Sequence, residues 1–445
     1  MIEPIAQKKG RGAREKALLV GLAVYPTTRR VAEEHLEELA LLADTAGADV
    51  VDTYLQSLPR PDGTWYIGKG KAEEIAEAIE ENDAITLVII DDDLSPVQIR
   101  NLEEKFERKV VDRSGLILDI FASRARTSEA RTQVELAQLL YLMPRLTRMW
   151  THLSKQYGGI GTKGPGETQI ETDRRIIKTR ISHLRSKLAK IETQRETQRK
   201  GRDEMFRASL VGYTNAGKST LMNELVGEKS VKAEDRLFAT LDTTVRQVEL
   251  ENGQTMLLGD TVGFIRKLPS HLVASFRTTL AESRESDLLL HVVDVSSPTV
   301  FEQIAVVRDT LRDIGAEDVP VLMVFNKIDR LDAGQGPLLS LQDHYPESVA
   351  IAAATGLGVA ALRDEIVARM EATFLERSVQ VPLADWHHLA RLQDLIEIVE
   401  KRFTDEHGLV RFRYSPKITD QVERALALSG AVAVDDELVA QAEVG

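Results

Sequence analysis

The sequence predicts a multidomain α/β protein in four parts: a parallel-sheet N-terminal domain (1–125), a long helical hairpin (126–202), a second α/β domain (203–375) and a small α+β C-terminal appendage (376–445). Three observations carry this. Short apolar runs alternate with amphipathic helical stretches over 17–122 and again over 207–375, the pattern of parallel strands joined by helices. Between these stretches, from Arg126 to about Arg202, strand patterns vanish. The 445 residues, at about 150 per domain, suffice for about three separate cores.

In the first part, ALLVGLAV (17–24) is an apolar run of strand length. Leu36, Leu39, Ala40 and Ala43 follow at i, i+3, i+4 and i+7, and then comes ADVVDTYLQ (48–56). AEEIAEAIEEN (72–82) precedes ITLVIIDDD (85–93), VQIRNLEEKF (97–106) precedes KVVD (109–112), and GLILDIFASRA (115–125) is a further apolar run. In the second part, polar helical stretches at 132–150 and 171–199 flank GGIGTKGPGE (158–167), where five glycines and a proline in ten residues cannot continue a helix. Such a tip is either a flexible connector or a means of bringing bare backbone close to a surface. The appendage offers SVQVPL (378–383), an amphipathic helix near 385–401, LVRFRY (409–414) and a helix near 418–427.

Charge is unevenly spread. From Arg145 to Arg202 there are fifteen Lys/Arg against five Asp/Glu, a local excess of +10 in a chain of net charge −13, so the remainder carries −23. That segment is either a solvated helical face or a contact for an anionic partner. Zero cysteines exclude disulfide scaffolds, thiolate zinc, iron–sulfur clusters and cysteine nucleophiles. The nine histidines show no H-x-x-x-H or triad pattern. With no run of about 18 apolar residues and no apolar h-region near the amino terminus, the expectation is a cytoplasmic protein without membrane insertion.

The chemistry is concentrated in the third part. RASLVG runs into Gly212-Tyr213-Thr214-Asn215-Ala216-Gly217-Lys218-Ser219-Thr220 and then LMNELVG, which is G-x-x-x-x-G-K-[ST] between a strand and a helix. Phosphates need a loop whose backbone N–H groups point inward, so glycines at 212 and 217 permit the turn and the helix N-terminus adds its dipole. Lys218 is expected to neutralise β and γ oxygens and Ser219 to ligate magnesium. Downstream, TMLLG delivers Asp260-Thr261-Val262-Gly263, where the carboxylate can hold magnesium through water and the Gly263 N–H can reach a γ-phosphate. VPVLMVF (319–325) ends in Asn326-Lys327-Ile328-Asp329. Asp329 can accept from N1–H and the exocyclic amine of guanine, donors that adenine lacks, so the expected base is guanine. Asn326 is expected to brace the loops and the Lys327 stem to cover the base. These motifs predict a P-loop GTPase domain.

The order and spacing resemble the translation-factor class of GTPases, and the flanks resemble the HflX family. The residues that carry the likeness are FATLD (Phe238-Ala239-Thr240-Leu241-Asp242), DTVGFIRKLP (260–269), RTQVELAQLLYLMPRL (131–146), GGIGTKGPGETQIETDRR (158–175) and YIGKGKAEE (66–74). The resemblance implies a cytoplasmic GTPase that uses magnesium with GTP. It also implies binding to the large ribosomal subunit and its ribosomal RNA, a hairpin tip near the peptidyl-transferase centre, and splitting of stalled or idle ribosomes. Thr240 matches the switch threonine on magnesium and γ-phosphate, so Lys218, Thr240 and Gly263 are the candidate catalytic residues. The other reading is a nucleotide-switched RNA-binding or RNA-remodelling protein of ribosome assembly.

Two departures stand out. The fifth guanine loop, usually Ser-Ala-x before Thr-Gly, reads Ala352-Ala353-Ala354. An Ala353 N–H can still meet guanine O6, while the lost serine costs about one hydrogen bond, about 1 kcal/mol. Phe264 stands where many GTPases carry a water-orienting glutamine, so intrinsic hydrolysis should be slow. Asn215 resembles the asparagine of potassium-dependent GTPases, making potassium a candidate cofactor, and is equally a residue suited to a turn. For Gly68-Lys69-Gly70-Lys71 two readings stand: an ATP phosphate site in the N-terminal domain, or a helix start facing ribosomal RNA or solvent.

Overall fold

The structure, a computed structural model, describes residues 14–146, 165–199, 205–227, 237–238, 244–250, 254–269, 272, 282–331, 336–392 and 395–434; for 165–170, 195–199 and 336–337 it describes the backbone alone. The first sheet comprises β1 (Glu15–Ala23), β2 (Ala48–Ser57), β3 (Ile85–Ile90) and β4 (Lys109–Asp112), with α1 (Arg29–Ala46), α2 (Lys69–Glu81) and α3 (Pro96–Phe106) as crossovers. Its order is β2-β1-β3-β4 and every pairing is parallel. Local chemistry fixes the helix ends. Thr28 caps α1, which stops at Gly47 with φ 90°, and α3 opens on a Ser95–Gln98 capping box with Pro96 in its first turn.

The apolar run 115–125 is helical within α4 (Arg113–Arg124), started by Asp112, which accepts from the Gly115 N–H at 2.8 Å. Leu116, Ile117, Leu118, Ile120 and Phe121 are all buried, so α4 is apolar all round because it is enclosed on every side. The Phe121 ring meets Phe238 of the second α/β domain edge-on, with centroids 4.6 Å apart. One core cluster thus joins Leu36, Leu116 and Phe121 to Val211, Tyr213, Phe264 and Ile265.

α5 (Ser128–Leu142) and α6 (Pro165–Arg199) form the hairpin. Leu136, Ile181 and Leu184 pack between them, and Glu135 receives Arg180 at 2.7 and 2.9 Å. The tip expected at 158–167 is divided. Residues 158–164 lie outside the described residues, whereas Pro165, Gly166 and Glu167 begin α6, against the expectation that this stretch could not be helical. Proline in a first turn loses no intrahelical hydrogen bond, which explains the earlier start.

The second α/β domain contains β5 (Phe206–Gly212), α7 (Lys218–Val226), β6 (Thr244–Glu249), β7 (Thr255–Asp260), β8 (Leu288–Asp294), α8 (Val300–Asp313), β9 (Val321–Asn326), α9 (Gly336–His344), β10 (Ser348–Ala350) and α10 (Val359–Glu371). Its sheet runs β10-β9-β8-β5-β7-β6, parallel except for β6. The chain passes from β5 to β7 on one side and to β8 on the other, so the crevice of a doubly wound sheet opens at the carboxyl end of β5.

The appendage holds β11 (Leu375–Pro382), α11 (Trp386–Ala390), β12 (Ile396–Phe403), β13 (His407–Tyr414), α12 (Thr419–Leu428) and β14 (Val432–Ala433), in an antiparallel sheet of order β12-β13-β11-β14. The helix expected near 385–401 is corrected to the five residues of α11 followed by β12. Leu389, Leu392 and Ile396 mimic helical spacing because a short helix and a strand bury the same core, and β12 then pairs with β13 in register Ile398↔Phe412.

Candidate functional site

β5 ends at Gly212, whose φ is 152° and where an added Cβ would lie 2.3 Å from the Val292 carbonyl oxygen. At Gly217, φ is 96° and a Cβ would lie 2.2 Å from Asn326 Nδ2. Both motif glycines are therefore sterically obligatory. Asn215 between them has φ 60°, a left-handed conformation that asparagine tolerates, so the turn alone accounts for its residue type. α7 starts at Lys218, so the first amides of α7, those of Lys218, Ser219 and Thr220, belong to a helix N-terminus suited to anions.

Lys218 is buried, and its Nζ donates to the carbonyls of Gly212 at 3.0 Å and Tyr213 at 2.9 Å. Burial pushes its pKa down to about 8, against the pull of Asp260. Ser219 Oγ donates to Asp260 Oδ2 at 2.8 Å, placing a hydroxyl beside a fully buried carboxylate. Hard oxygen donors of this kind fit magnesium, which keeps few protein ligands beside substrate phosphates and would there neutralise phosphate charge. Thr261 Oγ1 donates to the Leu210 carbonyl at 2.6 Å, and Val262 is buried behind it.

The two switch segments meet the phosphate loop directly. Thr214 Oγ1 accepts the Phe238 N–H at 3.1 Å, Thr214 N–H donates to the Phe264 carbonyl at 2.7 Å, and Phe264 N–H to the Gly212 carbonyl at 3.1 Å. Ala239, Thr240, Leu241 and Asp242 lie outside the described residues.

Asn326 braces the loops: Nδ2 donates to the Ala216 carbonyl at 2.8 Å and Oδ1 accepts the Ala353 N–H at 2.9 Å. The amide expected at guanine O6 is therefore engaged by Asn326, because the buried Asn326 carbonyl needs a donor. Ala352 is turned back on Leu357 by an N–H bond of 2.9 Å, and Ala354 is exposed. Lys327 Nζ donates to the Asn215 carbonyl at 2.8 Å and to Asp294 Oδ2 at 2.7 Å. Ile328 and Asp329 lie in a single 3-10 turn with the Asp329 carboxylate exposed.

Sequence reasoning missed Asp294. It could have been found by the signal that found Asp260, a carboxylate ending an apolar strand. It also missed the charged cluster of Glu38, Asp91, Arg113 and Arg266, whose members lie in different elements far apart in sequence and carry no local pattern. At Gly68–Lys71 the lysines engage α2 itself: Lys69 lies 3.8 Å from Glu73 and Lys71 2.6 Å from Glu74, while the Gly68 N–H donates to Gln56 at 2.9 Å. The helix-start reading accounts for these contacts.

Three family models match in order along the chain. They are described as GTP-binding GTPase N-terminal (33–122), GTP-binding GTPase Middle Region (124–202) and 50S ribosome-binding GTPase (207–327). A relative from Escherichia coli (strain K12) named GTPase HflX is 43% identical over 410 residues, covering 92% of this chain and 95% of the relative. The chain belongs to the HflX family. A second HflX GTPase, from Magnetococcus marinus, is 42% identical over 421 residues, covering 94% of this chain and 96% of its own. A solved GTP-binding protein of Sulfolobus solfataricus in complex with GDP is 26% identical, covering 80% of this chain and 98% of that one at a TM-score of 0.43. As an HflX GTPase the protein binds GTP and GDP and hydrolyses GTP. Among the described residues, no helix is long and apolar enough to cross a membrane.

Proposed function

We propose that this HflX GTPase acts in the cytoplasm on the large ribosomal subunit, contacting its ribosomal RNA through the hairpin and dissociating stalled or idle ribosomes while GTP is bound. The observation that carries the reading is α6. Arg174, Arg175, Lys178, Arg185, Lys187 and Lys190 are exposed along a helix anchored to α5 by Ile181 and Leu184, six cations spread over the helix surface that α5 leaves open. Cations so arranged gain affinity for RNA by releasing counterions from phosphates. Arg180 belongs to the brace instead, since it pairs with Glu135. The description 50S ribosome-binding GTPase, attached to the family model over 207–327, supports the same partner.

At the nucleotide, Lys218 and the amides of the loop and α7 would neutralise phosphate charge, Ser219 and Thr240 would hold magnesium with Asp260 acting through water, and the Gly263 N–H would meet the γ-phosphate. Asp329 reads guanine. Phe264 cannot hydrogen-bond a nucleophilic water, so alignment of that water falls to another group. Asn215 would hold a potassium ion that supplies positive charge in place of an arginine finger, and the bound ribosomal subunit would help to align the water.

Sedimentation of whole ribosomes with the protein tests the proposal. GTP and a non-hydrolysable analogue should convert whole ribosomes to subunits, GDP should not, and phosphate release should be faster in potassium than in sodium at equal ionic strength. Binding to ribosomes or free RNA without splitting would instead favour the ribosome-assembly reading, and equal rates in the two salts would remove potassium.

A further inference from the structure

Phosphate binding does not explain Tyr213, the second residue of the phosphate loop. Its ring is buried, and its hydroxyl stands between two domains, donating to Glu38 on α1 and accepting the Arg266 N–H at 2.9 Å. Around it lies a buried ion cluster. Arg113 pairs with Asp91 at 2.7 Å and with Glu38, and its Nε donates to the Arg266 carbonyl at 3.2 Å. The Arg266 guanidinium reaches Asp91 at 2.8 Å, and Lys267 reaches Asp92 at 3.0 Å. The segment that follows DTVG is thus gripped by carboxylates at the carboxyl end of β3 and on α1.

The same segment is pressed against the phosphate loop. Besides the two Phe264 backbone bonds, a Cβ added at Gly263 would stand 2.8 Å from Thr214 Cα and 3.2 Å from Lys218 Nζ. Phe238 (φ 55°) and Lys267 (φ 52°) hold left-handed backbone that bulky residues adopt only when their surroundings impose it. Both residues touch the N-terminal domain, Phe238 through Phe121 and Lys267 through Asp92.

We propose that Tyr213 is a positioning residue through which the N-terminal domain discriminates against the γ-phosphate. Its hydroxyl ties residues 263–267 to Glu38 in an arrangement that GDP tolerates and GTP must displace. A γ-phosphate needs the Lys218 ammonium and the Gly263 amide spread around it, and here the Gly263 backbone lies so near Lys218 and Thr214 that even a Cβ would not fit between them. GTP therefore lifts residues 263–266 from the loop and breaks the bond between the Arg266 amide and the Tyr213 hydroxyl. By linkage, loosening the cluster from the N-terminal side must raise GTP affinity relative to GDP. The inference is independent of the ribosomal partner.

The test uses the full chain with magnesium and fluorescent GDP or a non-hydrolysable GTP analogue, comparing the parent with Tyr213→Phe. Phenylalanine keeps the ring in the core but leaves a buried Arg266 N–H unpaired in the gripped arrangement. The analogue should therefore bind about fivefold or more tighter while GDP affinity moves less than about twofold. Glu38→Gln, placed in the N-terminal domain, should shift the ratio in the same direction. In the parent, hydrogen exchange at the Phe264 and Arg266 amides should be slower with GDP than with the analogue, a reading that needs no variant. Equal changes for the two nucleotides in Tyr213→Phe, an unmoved ratio in both variants, or the reverse order of protection would overturn the proposal.

Discussion

Asp329 is exposed in the middle of a single 3-10 turn, while Asn326, three residues before it, is buried and bonded on both sides. The two residues can therefore be separated by mutation. Replacing Asn326 would unpair the Ala216 carbonyl and the Ala353 amide and so disturb the loops, whereas Asp329→Asn changes one exposed side chain. Asp329→Asn should weaken GTP by about a hundredfold or more and favour xanthosine triphosphate, whose C2 carbonyl accepts where guanine donates. Competition binding with the two nucleotides decides the matter, and unchanged GTP affinity would remove Asp329 from base reading. At this scale the backbone of the phosphate loop was legible, because it is consecutive chain and its glycines answer a local need. Gly212 and Gly217 are there because a Cβ would collide with Val292 or Asn326. Less legible was the partner of each side chain. The Ala353 amide goes to Asn326, and Lys327 to Asp294, because such contacts join elements whose spacing is set by the sheet and not by the sequence.

Among elements, periodicity succeeded where one element buries one face. α1 buries Leu36, Leu39 and Ala43 as their spacing required, with Ala40 half-buried beside them. It failed at 385–401, where two elements of different period serve one core, and at Pro165, where a helix starter was taken for a breaker. α6 carries the sharper prediction. Arg174, Arg175 and Lys178 are exposed and stand apart from the Leu136–Ile181–Leu184 contact and the Arg180–Glu135 brace. Changing these three to glutamine should leave helix content and GTP binding intact. It should also make the logarithmic dependence of large-subunit affinity on salt shallower by about two to three units, the slope lost when three phosphate contacts disappear. Binding measured across a series of potassium chloride concentrations reads that slope. The same slope in parent and variant would mean that α6 does not meet RNA through these residues.

For the molecule as a whole, the feature hardest to see in the sequence is that the N-terminal and GTPase domains share a core. Leu36, Leu116 and Phe121 belong to the same apolar cluster as Val211, Phe264 and Ile265, and through its middle runs the pairing of Glu38 and Asp91 with Arg113 and Arg266. Arg113 is 1% exposed and contacts both carboxylates and, across the boundary, the Arg266 carbonyl, so its removal unpairs charge in the N-terminal domain and frees the segment that Arg266 belongs to. In Arg113→Met the side-chain volume is nearly kept while buried Asp91 is left to Arg266 and half-buried Glu38 to Arg266 and the Tyr213 hydroxyl. Breaking a buried pair in this way costs about 3–5 kcal/mol, far more than the about 0–1 kcal/mol of an exposed pair such as Arg312–Asp309. The loss should appear in urea unfolding as an earlier first transition. Because the cluster is buried, 1 M salt should change the difference little, whereas a surface pair would be screened. A common core also makes the two domains unfold together in the parent, and weakening it should separate their transitions when the N-terminal domain is followed by Trp65 and the GTPase domain by nucleotide release. If Arg113→Met unfolds with the parent's midpoint and a single transition, the two domains are held by their apolar contacts alone and the ion cluster contributes nothing to their union.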